Sequence, residues 1–189
     1  MNPQKEQQKG KDHPKVLLFD IDATLLLSGH AGTRAVNRAF ERIYGLGGAM
    51  DGIRADGKTD PLIFREIFEE RLRHLAPEKE IPRVAEVYLE VLKEEVEHAA
   101  GFRLMQGVRE LLEALARTEG ILLGLATGNF EQAAWIKLRR GNLDHCFCFS
   151  TNCFVAGKIS QHSLCKYRSY LSSDIFRNII RRIDQHIFG

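Results

Sequence analysis

Asp20 and Asp22 stand two residues apart at the end of a short apolar run, Lys15 to Phe19 (KVLLF). On an extended segment this spacing points both carboxylates to one side, about 7 Å apart. Like charges at that distance repel by about 2 kcal/mol at an effective dielectric of 20, so folding alone does not ask for the pair. A divalent cation and a phosphoryl group supply a reason: one carboxylate binds the metal and attacks phosphorus, while the other handles the leaving-group proton. The plainer alternative is a surface strand carrying two solvated acids, and the apolar residues immediately before Asp20 argue against it. A second apolar run, Ile121 to Ala126, ends in Thr127, Gly128 and Asn129. A hydroxyl, a permissive glycine and the free amides of a helix start form an anion site without a full positive charge. Its alternative is an ordinary strand-to-helix turn with Asn129 as N-cap.

Both groups need rigid supports. KVLLF reads as a buried parallel strand, since it is continuously apolar and ends abruptly in acid. Thr33 to Ile43 places Ala35, Val36, Phe40 and Ile43 at helical spacing, and the following GLGG ends that helix. Asp60 and Pro61 read as N-cap and N1 of another helix with Leu62, Ile63, Ile67 and Leu72 on its apolar side. Helical patterns also cover Ile81 to Ala99, Val108 to Arg117, and Phe130 to Arg139 closed by Gly141. Alternating strands and helices imply an α/β fold with a doubly wound parallel sheet. Residues 27–103 hold helices without a convincing strand and read as a helical cap inserted between two strands of a core formed by 14–26 and 104–189.

At this point the motifs resemble those of the haloacid dehalogenase superfamily of phosphatases. LLFDIDATLL is similar to the first motif, an apolar strand followed by Asp-x-Asp-x-Thr, matched here by Asp20, Asp22 and Thr24. Ala23 stands where the family usually has glycine. ILLGLATGN looks like the second motif, with Thr127 beside the same crevice. The resemblance implies a Rossmann-like core, an aspartyl-phosphate intermediate on Asp20, and Asp22 as the acid that protonates the leaving oxygen and then activates water. It also implies Mg2+ bound at Asp20 and Asp22, and a small phosphorylated substrate. The hundred or so residues between the motifs resemble members whose cap follows the first motif. GKTDPLI within them looks like the substrate-facing loop of phosphoglycolate phosphatase-like members, with Lys58 toward a substrate anion.

The family also has a phosphate-holding lysine and an apolar strand ending in Gly-Asp further downstream. Lys158, 31 residues after Thr127, is the candidate lysine, with Lys166 as the other; Asp174 and Asp184 are the remaining acids, and neither follows an apolar strand with glycine. Residues 146–189 carry six Lys and Arg against two Asp, contain all four cysteines and lack glutamate, unlike the chain before them. That shift suggests a truncated or frame-shifted end, and with it an alternative reading: a catalytically impaired family relative with a binding role or no distinct one. A third reading uses His145, Cys146, Cys148, Cys153, His162 and Cys165 as a zinc site, although they lack paired Cys-x-x-Cys knuckles. Apolar residues from Phe176 to Ile187 suit one face of a packed terminal helix.

With 44% hydrophobic and 28% charged residues the chain has a globular composition, and a net charge of +2 is too small for a nucleic-acid-binding face. Residues 1–13 lack the apolar centre of a secretory signal and read as a disordered leader. No run reaches the 18 apolar residues of a membrane span, so the expectation is a cytoplasmic protein with reduced cysteines and no membrane partner.

Overall fold

The computed structural model describes residues 15–73, 77–147 and 149–152. Three parallel strands form the main sheet in the order β1 (Lys15–Phe19), β4 (Ile121–Thr127), β5 (Phe149–Asn152). Phe19 lies opposite Leu125, and Thr127 opposite Asn152. The carboxyl ends of all three strands therefore open on one edge, where ligands bind in open α/β sheets. Strand β4 is the inner one, and Leu123 and Leu125 are buried on one of its faces, two residues apart as the pleat requires. Strand β1 has a paired neighbour on one side only among the described residues, and Val16 to Phe19 are half-buried rather than buried.

Helices α1 (Ala31–Tyr44), α2 (Asp60–Glu70) and α3 (Ile81–Glu97) follow β1. Their apolar faces enclose Phe40, Phe64, Phe68, Tyr88 and Leu92, all essentially without exposure. Phe64 is the hub, with ring centroids 5.6 Å from Phe40, 5.5 Å from Tyr88 and 5.4 Å from Phe130. Edge-on aromatic pairs of this kind add about 0.5–1.5 kcal/mol each beyond their area. Gly45, in the left-handed conformation, ends α1 with its amide bonded to the Glu41 carbonyl.

Against the sheet, a second cluster joins Ile21, Leu25, Leu26, Val108, Leu112, Leu123, Leu125, Leu138 and Leu143. Helices α4 (Val108–Ala116) and α5 (Glu131–Arg140) contribute to it. Ala133 of α5 faces the helical cluster while Ala134 and Leu138 face the sheet cluster, so this helix is packed from both sides. Cys146 also lies in the sheet cluster, where burial pushes its thiol pKa up, as suits a small hydrophobe rather than a reactive group.

Three local expectations are corrected. Residues 27–103 are bounded by a two-stranded antiparallel ribbon, β2 (Leu26–Ser28) paired with β3 (Phe102–Leu104). Three-residue strands are too short to show a period in sequence. Extended Thr59, not Asp60, is the N-cap of α2, because the Asp60 carboxylate is drawn to another segment. Leu62, expected on the apolar side of that helix, is 45% exposed. Lys158, Lys166, the zinc candidates from Cys148 onward, the 176–187 pattern and the 1–13 leader lie outside the described residues.

Candidate active site

Asp20 follows the last residue of β1 and Thr127 is the last residue of β4, so the pairing of these two strands brings the two sequence motifs to one edge. Between the aspartates Ile21 is fully buried, while Asp20 and Asp22 are exposed on the opposite side of the chain, as alternation demands. The chain then turns back: the amides of Thr24, Leu25 and Leu26 converge on the Ile21 carbonyl, and the Ala23 amide donates to Leu26. Ala23 sits at φ 61°, a left-handed conformation that costs a residue with a Cβ about 1–2 kcal/mol.

Asn129 ties the two motifs together. Its side-chain amide donates to Asp22 Oδ2 at 2.8 Å and to Thr127 Oγ1 at 2.7 Å. Its own Oδ1 accepts from Lys137 Nζ at 2.6 Å. Lys137 also donates to both Asp22 oxygens, at 2.9 and 2.7 Å. Thr127, Asn129 and Lys137 are buried, whereas the Asp22 side chain keeps 44% of its exposure. The Asp22 carboxylate is therefore clamped from the Lys137 and Asn129 side while it remains open to solvent.

Lys137 is the site residue that the sequence reading missed. A signal existed: it lies four residues after Ala133 and next to Leu138, on the buried stripe of α5, where a lysine requires a partner.

The loop before α2 closes over the second motif. Asp60 N–H donates to the Gly128 carbonyl at 2.8 Å, and Phe130 N–H donates to Asp60 Oδ2 at 2.7 Å. A methyl group on Gly128 would come within 2.6 Å of the Lys58 carbonyl oxygen and 3.1 Å of Thr59 Cα. Close approach, not an unusual φ, is thus what requires glycine here. Burial pushes the Asp60 pKa up to about 6, with Lys137 and the Phe130 amide opposing and Asp22 adding to the rise. Helix α5 starts after Phe130 rather than after Asn129, and Asp60 takes the Phe130 amide that a free helix start would offer to an anion. The Lys58 side chain is half-buried and ion-paired with Glu66, and the Thr59 hydroxyl is buried without a hydrogen-bond partner among the described residues.

Among the described residues no three His, Cys, Asp or Glu side chains converge as a metal cluster, and no helix is long and apolar enough to cross a membrane. His145 Nε2 lies 3.4 Å from Cys146 Sγ.

Known structures share this fold. A predicted phosphatase from Clostridium acetobutylicum matches with a TM-score of 0.54 at 16% identity, over 91% of this chain and 71% of that one. CbbY from Rhodobacter sphaeroides, in complex with phosphate, matches with a TM-score of 0.52 at 22% identity, over 90% and 73%. For a predicted phosphoglycolate phosphatase from Haemophilus somnus 129PT the values are 0.50 and 20%, over 75% of this chain and 63% of that protein. The chain thus spans less than two thirds of the Haemophilus protein's length, and identities this low speak for the fold alone. A search of curated proteins returns no match. The family model for haloacid dehalogenase-like hydrolases matches residues 14–185, and the chain belongs to that family.

Proposed function

We propose that the chain is a magnesium-dependent phosphomonoesterase acting on a small phosphorylated metabolite. The observation that carries this reading is the hydrogen-bonded bridge from Asp22 through Asn129 to Thr127, which joins an exposed aspartate pair to a hydroxyl at the mouth of the sheet. A carboxylate of Asp20 attacks phosphorus and displaces the ester oxygen, forming an acyl phosphate. Asp22 passes a proton to that leaving oxygen and takes one from the water that then releases inorganic phosphate. Thr127, Gly128 and Asn129 receive the phosphoryl oxygens.

The oxygen donors here are hard, which suits Mg2+, an ion that commonly uses one or two carboxylates together with substrate phosphate. Both Asp22 oxygens accept bonds from Lys137, so the Asp20 carboxylate is the freer ligand. When bound, the cation neutralises charge on the phosphoryl group. Residues 27–103 act as the cap, with the Lys58 loop lying against the second motif and Lys58 released from Glu66 to meet a substrate anion. Lys158 is the tail lysine assigned to the phosphate.

A magnesium-supplemented assay on a broad panel of phosphate esters tests the proposal. Turnover that falls by more than about 10³-fold in Asp20→Asn supports it. Absence of turnover across the panel favours a second reading, a binding protein that keeps the fold without catalysis.

A further inference from the structure

Helix α5 has no packing reason to carry a lysine at position 137. Ala133, Ala134 and Leu138 continue its buried stripe, and a methionine or leucine would extend it. Replacing a buried ion pair by apolar residues is often neutral or stabilising, so the ammonium is not explained by stability. The other ion pairs among the described residues join partners that keep more exposure than Lys137, such as Arg38 with Glu94 and Arg117 with Glu113. All three N–H groups of Lys137 are used, two on Asp22 and one on Asn129. Asn129 in turn adds a bond to Asp22 Oδ2 and holds Thr127 Oγ1. Three donor contacts thus define the rotation of the one carboxylate assigned to proton transfer, and the only charged donor among them is buried. Asp60, half-buried at the start of α2, is the other acid whose charge acts on this pair.

We propose that Lys137 is a positioning residue for catalysis: with Asn129 it holds the Asp22 carboxylate in the orientation from which protons pass to the leaving oxygen and from water. This inference rests on the phosphatase reading. Proton transfer by a well-placed group contributes about 10²–10⁴-fold, and that contribution depends on hydrogen-bond geometry.

The test is a double-mutant cycle of Lys137→Met and Asp22→Asn in the full chain, with Lys137→Gln as a second variant that keeps a hydrogen-bond donor at the site. The expected result for Lys137→Met is a kcat lower by about 10²-fold with KM changed by less than about threefold. In the Asp22→Asn background the same change lowers kcat by less than about twofold further, because the group it positions is already gone. Lys137→Gln falls between the parent and Lys137→Met. Losses that multiply in the double variant, or a rise in KM with kcat intact, overturn the proposal. Thermal unfolding of the metal-free proteins reads the same cycle without turnover: non-additive changes support the pair and additive ones overturn it. Turnover retained without coupling overturns this inference alone. A parent protein without turnover overturns the phosphatase reading and the catalytic role of Lys137 with it.

Discussion

The Phe130 amide donates to Asp60 Oδ2 across 70 residues of sequence at 2.7 Å, and the Asp60 amide answers with a bond of 2.8 Å to the Gly128 carbonyl. This reciprocal pair fastens the start of α2 to the start of α5, so the helices that follow β1 are tied to the loop that ends β4. Asp60 caps a neighbouring helix rather than its own, which adds a favourable acid to the amino end of α5.

The Asp60 carboxyl makes stability fall as pH rises. Its pKa is about 6 in the fold against an ordinary 3.8, so between those values the folded chain keeps a proton that the unfolded chain has lost. The shift corresponds to about 3 kcal/mol, present below pH 4 and lost as pH climbs through 6. Asp60→Asn keeps an oxygen for the Phe130 amide and removes the charge. Thermal unfolding at pH 4, 5, 6 and 7 should show this component of the fall in the parent and not in the variant.

Gly128→Ala should part the two loops. The added methyl meets backbone atoms of Lys58 and Thr59, which do not yield as the tip of a flexible side chain does. A loss of about 1–3 kcal/mol is expected, as for other overpacked sites. Denaturant unfolding measures it, and faster amide hydrogen exchange at Asp60 and Phe130 would locate it.

Ala23→Gly should stabilise the chain. The left-handed φ of 61° strains alanine, and glycine adopts it without a steric penalty. After allowance for the greater freedom of an unfolded glycine, a gain of about 0.5–1 kcal/mol remains, visible as a higher Tm.

Phe64→Ala should remove about 3–5 kcal/mol, the usual result of emptying a fully buried aromatic site. Phe64 touches Phe40 and Tyr88 within the helical cluster and Phe130 beside the second motif. The loss should therefore appear both in denaturant unfolding and as weaker protection of the Phe130 amide.

Long periodic segments were legible without coordinates. The expected α3 and α4 each end within two residues of the observed helices, since apolar spacing directly reports which face is buried. The places of Asp20, Asp22 and Thr127 at the carboxyl ends of paired strands were legible for another reason: a continuous apolar run that stops at a charge or hydroxyl marks where a buried strand ends. The ribbon β2–β3 was hidden because three residues carry no period, and the cap of α2 because Asp60 looks toward Phe130 rather than its own helix.

The sequence by itself determined that two apolar strands end in carboxylates and a hydroxyl and that helices lie between them. Only the tertiary structure decided that Lys137 reaches Asp22 across 115 residues, that Asn129 joins it to Thr127, and that Asp60 belongs to the α5 loop. The reason is physical. Local periodicity is a property of neighbouring residues, whereas the partner of a buried charge depends on how strands pair and helices cross, which no window of sequence contains.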